Sequence, residues 1–348
     1  MKLQSVSEIQ NSCNVLLRMD LDVPIVNGSV VDNSRLKKSL LTIKLLLEKG
    51  CKIVIIGHRG RPQPWRGGPD GKDEELSLRP VYAELMSLLE QNGYNVIGSV
   101  FVDEVENREK ISDVIGTNRI VFMENLRFYE GERNNDDSFL GAVKEVCQCF
   151  VNDAFGVAHR KEASMMLWQK MPTFYGLNFV DEAEKLERLR QNVQRPLIVI
   201  LGGVKQDKLN YLSELTAWAD KVLVAGKLIT MVKEEDLRNE KIKVGMLTET
   251  GLDINEASVV DFKNILAEAK TVIWVGALGK FEVEEGRRST AKIAKFLAEK
   301  EVFWVIAGGD SLASVANLGI ENKIDLVISG GGVALEFLTK ERLPAWES

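Results

Sequence analysis

Short continuous apolar runs alternate with amphipathic stretches along this chain. In the first half the apolar runs lie at residues 15–21, 53–56, 95–102, 120–123 and 150–151. Continuous rather than alternating hydrophobicity is typical of strands that are covered on both faces. Apolar residues at helical spacing fill segments between these runs, for example 36–48 and 81–91. The pattern predicts parallel strands connected by helices.

The same pattern starts again in the second half. Apolar runs lie at residues 197–201, 222–224, 272–275, 302–306 and 326–328, and helical spacing returns at 291–299. Two successive series of βαβ units predict an α/β fold of two doubly wound parallel-sheet, Rossmann-like domains.

A charged segment separates the two series. Residues 178–190 combine many charges with apolar residues at helical spacing, so we predict a helix that joins the domains as a hinge. We expect a first domain at 1–175, the hinge helix at 176–194, a second domain at 195–330, and a C-terminal helix and tail at 331–348 that returns toward the first domain.

Composition narrows the class of partner. Of the 348 residues 45% are hydrophobic and 28% charged, which suits two globular cores. The net charge of −6 gives no overall positive field for nucleic acid or an anionic membrane, so we expect small-molecule partners. The chain has no signal-peptide core at its start and no run of about 18–20 apolar residues, which predicts a cytoplasmic protein.

The four cysteines are predicted to be reduced thiols. Cys13, Cys51, Cys147 and Cys149 do not form a paired metal spacing, and with only two histidines in the chain a structural zinc site is not expected. Cys147 and Cys149 are two residues apart in an apolar run, so we expect them on one face of one strand.

Polar and basic residues follow the apolar runs of the first half. The candidates are Asp20, Asp22, Arg35, His58, Arg61, Arg127 and Arg160. Ligands of open parallel sheets bind beyond the carboxyl ends of the strands, where these side chains would converge. Guanidinium groups bind carboxylate and phosphate with paired N–H donors, so the set suits a small polyanion. Each arginine taken alone would more often be a solvated surface charge, and the recurrence of the set favours the ligand site. Residues 62–73 are a loop by composition and a candidate mobile flap.

Glycines follow the apolar runs of the second half. The glycine-rich turns contain Gly202 and Gly203, Gly276, Gly308 and Gly309, and Gly330, Gly331 and Gly332. Backbone N–H groups at such turns hold phosphate, Lys205 or Lys208 would add positive charge, and Asp310 would ligate Mg²⁺, so a polyphosphate nucleotide is the natural ligand. Each turn alone is also a plain connection between strand and helix. A P-loop is excluded, because Lys221 and Leu228 occupy its first glycine and its Ser/Thr position, and the Rossmann fingerprint is missing.

Taken together, these residues resemble phosphoglycerate kinase along nearly the whole chain. The matching motifs are Arg18-x-Asp20, Asn33-Ser34-Arg35, His58-x-Gly60-Arg61-Pro62, Glu124-Asn125-x-Arg127-Phe128, Asn152-Asp153-Ala154-Phe155-Gly156-x-Ala158-His159-Arg160, Leu201-Gly202-Gly203-x-Lys205, Gly308-Gly309-Asp310 and Ser329-Gly330-Gly331-Gly332. Their order and spacing match this one family.

The resemblance implies an activity and a set of roles. The family reversibly transfers a phosphoryl group between 1,3-bisphosphoglycerate and Mg-ADP, giving 3-phosphoglycerate and Mg-ATP, in glycolysis and gluconeogenesis. By resemblance, 3-phosphoglycerate would be bound in the first domain by Asp20, Asp22, Arg35, His58, Arg61, Arg127 and Arg160. The nucleotide would be bound in the second domain by Gly202, Gly203, Lys205, Gly276, Glu282, Gly308, Gly309, Asp310 and Ser311, with Asp310 on Mg²⁺. Arg35, Lys205, Lys208, Gly331 and Gly332 would act on the phosphoryl group in flight. The protein would be a monomer or a homodimer.

Several residues depart from the family pattern. Asp22 and Val275 each replace a usual Asn, Glu162 replaces a usual second histidine, and the segment from Lys205 to Lys208 is one residue short. The chain is also short, as in archaeal members. These departures keep an alternative open, a catalytically silent two-lobed regulatory protein that binds nucleotide or phosphate. An NAD-dependent dehydrogenase is a further alternative, which the missing fingerprint opposes.

Overall fold

Two compact units make up the chain. The computed structural model describes residues 3–62, 73–106, 108–316 and 318–346, so residues 63–72 of the candidate flap lie outside the described residues. Unit 1 consists of Met1–Asp181 with Pro344–Ser348, and unit 2 of Glu182–Leu343. Each unit contains a six-stranded sheet in which all pairs of neighbouring strands are parallel, so the predicted fold class is confirmed.

The sheet of unit 1 has the order β5-β6-β4-β1-β7-β8. In chain order the strands are β1 (Asn14–Arg18), β2 (Ile25–Val26), β3 (Ser29–Val30), β4 (Lys52–Ile56), β5 (Ser99–Val102), β6 (Ile120–Met123), β7 (Cys149–Asn152) and β8 (Thr173–Tyr175). Strands β2 and β3 form a separate hairpin, whose two-residue turn, Asn27 and Gly28, has positive φ at both positions, as tight hairpins require.

Helices cover both faces of this sheet. They are α1 (Ser34–Glu48), α2 (Arg79–Gln91), α3 (Arg108–Thr117), α4 (Glu130–Asn134) and α5 (Gly141–Val146), followed by α6 (Leu177–Asn192), which contains the boundary between the units. Alternate residues of β1 enter opposite cores: Val15 and Leu17 pack with α1 and α2, and Leu16 packs with α3 and α5. Burial on both faces explains the continuous apolar run.

The sheet of unit 2 has the order β11-β10-β9-β12-β13-β14. Its strands are β9 (Leu197–Leu201), β10 (Lys221–Val224), β11 (Ile242–Val244), β12 (Thr271–Val275), β13 (Phe303–Ala307) and β14 (Leu326–Ile328). Its helices are α7 (Leu212–Trp218), α8 (Glu234–Leu237), α9 (Glu256–Leu266), α10 (Arg288–Ala298), α11 (Gly309–Val315) and α12 (Gly331–Lys340). The strand order reverses between β9 and β12, and such a reversal opens a crevice for ligands at the carboxyl ends of the strands.

Three details of the sequence prediction are wrong. The first strand ends at Arg18 instead of residue 21, since the chain leaves the sheet there although Met19 and Leu21 stay buried. Strand β5 begins at Ser99 instead of residue 95, after a turn at Gly98 with φ +79°. Cys147 follows the last residue of α5 and packs with α3, whereas Cys149 begins β7 and packs on the opposite face, so the two do not share a strand face.

The cysteines carry free thiols, as predicted. Among the described residues no group of three or more His, Cys, Asp or Glu side chains is arranged to hold a metal ion. None of the described helices is both long enough and apolar enough to cross a membrane.

Candidate functional site

A buried arginine and a neutral histidine lie at the carboxyl edge of the unit 1 sheet. Arg18, the last residue of β1, is fully buried, and its Nη2 donates to His58 Nδ1 at 2.6 Å. A guanidinium has no acceptor, so Nδ1 of His58 accepts and carries no proton. Burial, with help from Arg18 and Arg127, holds the pKa of His58 well below its ordinary value. His58 is therefore a neutral imidazole that presents its Nε2 as a donor.

A serine links Arg18 to a second buried charge. Arg18 Nε donates to Ser164 Oγ at 2.9 Å, and Ser164 Oγ donates to Glu132 Oε1 at 2.6 Å. Ser164 also donates its backbone N–H to Glu132 Oε2 at 2.9 Å. Burial raises the pKa of Glu132 and lowers that of Arg18, and each charge partly offsets the shift of the other. This pair fixes the guanidinium that orients His58.

Asp20 and Arg35 form an ion pair beside this network. Arg35, the second residue of α1, donates from Nη1 to both carboxylate oxygens of Asp20 at 3.0 and 3.1 Å. A Cβ atom at Gly156 would lie 2.4 Å from Asp20 Oδ2, so the carboxylate occupies space that only glycine leaves open. Arg35 remains 45% exposed. Its guanidinium is therefore positioned by Asp20 and partly accessible to solvent.

Gly60 joins two further predicted residues through its backbone. Its N–H donates to Asp22 Oδ1 at 2.9 Å, and its carbonyl accepts from Arg127 Nη1 at 2.6 Å. The carboxylate of Asp22 thus stabilises the loop that follows β4. Arg61, the next residue, is exposed.

Glu162 lies among the basic residues of this edge. Its Oε1 accepts from Arg127 Nη2 at 2.5 Å and lies 3.5 Å from Arg160 Nη1, and its Oε2 lies 3.7 Å from His58 Nδ1. Glu162 and Arg127 are both buried. Contacts of the described residues therefore connect Asp22, His58, Arg127 and Arg160 of the predicted set in one network, with Asp20 and Arg35 paired beside it.

In unit 2 the glycines that follow β9 and β12 lie against each other. The N–H of Gly202 donates to Val275 O at 2.9 Å, and that of Gly203 to Ala277 O at 2.8 Å. A Cβ atom at Gly276, where φ is +101°, would lie 2.1 Å from Gly202 O, and one at Gly226 would lie 2.8 Å from Gly203 N. Only glycine allows these backbones to approach so closely.

Lys208 is packed against the same two turns. Its Nζ donates to Gly202 O at 2.8 Å and lies 3.4 Å from Val275 O. Burial lowers its pKa to about 8, partly offset by the charge of Asp310. Lys205, by contrast, is exposed and precedes the short 3₁₀ segment Gln206–Tyr211. The segment thus places Lys208 against the two glycine turns and Lys205 at the surface.

The other two glycine turns also meet. Gly308 has φ +97° and precedes α11, and a Cβ atom on it would lie 3.2 Å from Gly331 N at the start of α12. Ser311 Oγ accepts from Gly276 N at 2.6 Å, which ties the turn after β13 to that after β12. Val275 Cγ1 would be 3.1 Å from a Cβ at Gly331. Gly309 is the first residue of α11 and Gly332 the second of α12.

A cavity of about 540 Å³ opens beside these turns. Gly203, Glu282 and Asp310 of the predicted set line it. The lining is completed by Gly226, Lys227 and four residues of the glycine-rich turn after β12, Ala277, Gly279, Lys280 and Phe281. It also contains residues that the sequence did not single out: Val204, Thr230, Leu247, Gly251 and Leu252. The cavity combines glycine backbone with apolar side chains and two lysines, which suits a planar apolar group attached to an anion.

Comparison with known proteins decides the family. The family model for phosphoglycerate kinase matches residues 6–245 and 230–341. The phosphoglycerate kinase of Fervidobacterium nodosum is 32% identical over 95% of this chain and 94% of its own length, and that of Leptospira biflexa serovar Patoc is 32% identical over 95% and 93%. This chain belongs to the phosphoglycerate kinase family. It is thus a phosphotransferase with a carboxyl group as acceptor, and the predicted family and enzyme class are confirmed.

Solved phosphoglycerate kinases have the same fold. The structure from Pyrococcus horikoshii OT3 matches with a TM-score of 0.78 at 24% identity, covering 99% of this chain and 97% of that one. The structure from Coxiella burnetii matches with a TM-score of 0.73 at 24% identity, covering 99% and 98%. The alignment to the F. nodosum enzyme spans 384 positions, more than the 348 residues of this chain, so that relative carries residues that this chain lacks.

Two side chains at the carboxyl edge of the unit 1 sheet, Arg18 and Glu162, were not assigned a role from the sequence. Arg18 appeared in a family motif, yet its contact with His58 depends on strands distant in sequence. Glu162 appeared only as a departure from the family pattern, and its contacts join three segments of the chain. A buried charge that lies between other charges leaves no periodic signal, so neither role was predictable from hydrophobic patterning.

Proposed function

We propose that this chain transfers a phosphoryl group reversibly between 1,3-bisphosphoglycerate and Mg-ADP, with the glycerate on unit 1 and the nucleotide on unit 2. The observation that carries the proposal is the cluster of guanidinium groups at the carboxyl edge of the unit 1 sheet, linked through Glu162, Gly60 and His58. Such a cluster fits a small molecule that carries both phosphate and carboxylate.

On unit 1, we assign binding of 3-phosphoglycerate to Asp20, Asp22, Arg35, His58, Arg61, Arg127 and Arg160. Arg127 and Arg160 would bind anionic oxygen atoms, and neutral His58 would donate one hydrogen bond from Nε2. Arg35 is fixed by Asp20 and half exposed, so it would stabilise the charge that develops on the transferred phosphoryl group. Asp22 supports the Gly60 loop through a backbone N–H. That contact gives it a supporting role beside the substrate.

On unit 2, we assign the nucleotide to the cavity of about 540 Å³. Leu247, Leu252 and Phe281 would contact the base. The predicted nucleotide residues that line or adjoin the glycine turns, Gly202, Gly203, Lys205, Gly276, Glu282, Gly308, Gly309 and Ser311, would contact ribose and phosphates. Lys208 would add positive charge close to Gly203 and Gly276. The N–H groups of Gly331 and Gly332, at the free N-terminus of α12, would bind the phosphoryl group.

Asp310 is suited to Mg²⁺. It lies in the first turn of α11, is exposed, and lines the cavity. Mg²⁺ in nucleotide sites is held by one or two carboxylates, water and the phosphates of the substrate, so a single carboxylate is a sufficient protein ligand. The bound ion would neutralise phosphate charge. Lys205 and Lys208 would supply positive charge from the protein.

A rate measurement distinguishes the proposed kinase from the alternative, a catalytically silent regulatory protein. The purified chain would be assayed with 3-phosphoglycerate and Mg-ATP, coupled to the reduction of 1,3-bisphosphoglycerate. We expect turnover that depends on both substrates and on Mg²⁺. Nucleotide binding without turnover would favour the silent protein instead. Membership of the phosphoglycerate kinase family opposes the dehydrogenase alternative. Titration with NAD tests that alternative directly.

A further inference from the structure

Glu162 is a carboxylate inside a site that has to bind an anion. Of the three side-chain nitrogens of Arg127, Nη1 donates to Gly60 O and Nη2 donates to Glu162 Oε1. Arg127 Nε is buried and has no hydrogen-bond partner among the described residues. Two contacts therefore fix the plane of the guanidinium, and a third donor remains for a ligand.

The charge of Glu162 is not cancelled by His58. The distance between Glu162 Oε2 and His58 Nδ1 is 3.7 Å, which alone would suggest an ion pair. Arg18 Nη2, however, already donates to this Nδ1 at 2.6 Å, so the nitrogen is an acceptor and His58 is neutral. Glu162 Oε2 is buried without a hydrogen-bond partner in the described part of the chain. The negative charge of Glu162 therefore partly neutralises the positive charges of Arg127 and Arg160.

The buried carboxylate of Glu162 affects the binding of an anionic ligand in two opposite ways. As a hydrogen-bond acceptor it holds Arg127 in place, which favours binding. As a negative charge it repels the anionic substrate and removes part of the attraction of Arg127 and Arg160. Replacing carboxylate by amide removes the charge and keeps an acceptor of the same shape at Arg127 Nη2. The two effects can therefore be measured separately.

We propose that Glu162 is a positioning residue that orients Arg127 and sets the affinity of unit 1 for its anionic substrate lower than the arginines alone would. This inference rests on the proposed function for the identity of the substrate. At the effective dielectric constant of about 20 that applies to protein sites, a unit charge within about 12 Å of a bound anion changes affinity by about tenfold or more.

Steady-state kinetics of Glu162→Gln test the proposal. We expect the KM for 3-phosphoglycerate to fall by about tenfold, with little change in kcat and none in the KM for Mg-ATP. Glu162→His, which restores the residue usual in the family, should lower the same KM. Glu48→Gln is the matched control, because it removes one negative charge from an exposed site at the end of α1, where Glu48 accepts from Tyr94. It should leave both KM values unchanged.

Two results would overturn the proposal. An unchanged KM together with a lower unfolding temperature would make Glu162 only a structural counter-ion of Arg127. A raised KM in a folded Glu162→Gln protein would mean that the carboxylate itself binds the substrate. Binding of inorganic phosphate, measured by calorimetry, separates this inference from the proposed function. If the wild-type chain shows no turnover and Glu162→Gln binds phosphate about tenfold more tightly, the assigned reaction fails and the role of Glu162 stands.

Discussion

At the scale of single residues, unit 1 combines buried charges with charges that are partly exposed. Arg18 and Arg127 are buried, and contacts within unit 1 fix both of them. Arg35 pairs with Asp20 and is 45% exposed. Removal of a buried partner should therefore cost stability, whereas removal of Arg35 should cost catalysis.

Arg35→Ala should lower kcat by about 10²–10³-fold, the usual loss when one donor to transition-state charge is removed. Its effect on the free energy of unfolding should stay within about 1 kcal/mol, because exposed ion pairs contribute little. Lys243→Ala is a matched control, since Lys243 is 44% exposed and pairs with Asp261 at 2.7 Å. Coupled-assay kinetics and denaturant unfolding of both variants give the comparison. An unchanged kcat in Arg35→Ala would remove its assigned role.

At the scale of elements, the close contact between the turns after β9 and β12 shapes the wall of the crevice that we propose for the nucleotide. Gly276→Ala would place a Cβ atom 2.1 Å from Gly202 O and 2.5 Å from Lys208 Nζ, at a residue with φ +101°. The backbone has to shift, so we expect a loss of unfolding free energy above about 2 kcal/mol and weaker nucleotide binding. Gly141→Ala, where the added Cβ meets nothing within 4 Å, is the control. Thermal unfolding and nucleotide titration should leave that control near wild type.

A buried acid after β7, Asp153, faces the start of α6, and its ionisation should affect stability. Asp153 Oδ1 accepts from the backbone N–H of Phe179 at 3.1 Å, in the first turn of α6. Burial raises the pKa of Asp153 to about 7, and hydrogen bonds from Ser39 and Phe179 offset only part of this shift. The positive end of a helix also favours the anion, by about 2 kcal/mol at most, and here burial outweighs it.

The raised pKa of Asp153 predicts the direction of the pH dependence. Between about pH 4 and pH 7 the folded chain keeps a proton that the unfolded chain has lost, so this group's contribution to stability falls as pH rises and levels off above pH 7. Asp153→Asn cannot ionise and should gain stability relative to wild type at pH 8 compared with pH 5. Denaturant unfolding at both pH values measures this, with Asp113→Asn, at an exposed position of α3, as control. An equal difference at both pH values would contradict it.

Strands with a continuous apolar run were easier to predict from the sequence than strands without one. The runs that predict the central strands β6 and β9 and the edge strand β14 match the observed strands residue for residue. The edge strands β8 and β11 were missed, since each has only three residues and includes a polar one, Thr173 in β8 and Lys243 in β11. Continuous hydrophobicity signals burial on both faces, and these two short strands do not carry that signal.

The candidate site was predictable where strand ends supply its residues. Asp20, His58 and Arg127 each follow a central strand, and the rule for open parallel sheets places them at one edge. The roles of Arg18 and Glu162 depend on which buried charges meet, and sequence spacing carries no information about that. Leu247 and Leu252 line the cavity from loops without any distinctive motif, whereas Phe281 belongs to the glycine-rich turn after β12.

At the scale of the whole molecule, the end of the chain is part of unit 1 although the preceding helix α12 belongs to unit 2. Trp168 Nε1 donates to Pro344 O at 2.8 Å, and the N–H of Ala345 donates to Ala158 O at 3.1 Å. Trp346 is 2% exposed, with its ring 5.3 Å from that of Phe179. A few C-terminal residues thus complete the core of the unit that begins the chain.

The stability of unit 1 should therefore depend more on Trp346, its last described residue, than on exposed side chains such as Ile97. Trp346→Ala removes a buried aromatic side chain and should lower the unfolding free energy of unit 1 by about 3–5 kcal/mol, while unit 2 keeps its own core. Ile97→Ala, at a residue 84% exposed, should change it by less than about 0.5 kcal/mol. Hydrogen exchange followed by mass spectrometry resolves the units: in Trp346→Ala, amides of β1, β4 and β7 should exchange faster, and those of β9 and β12 at the wild-type rate. Equally faster amide exchange in both sheets would contradict this prediction. It would mean that the two units unfold together and that the tail stabilises both.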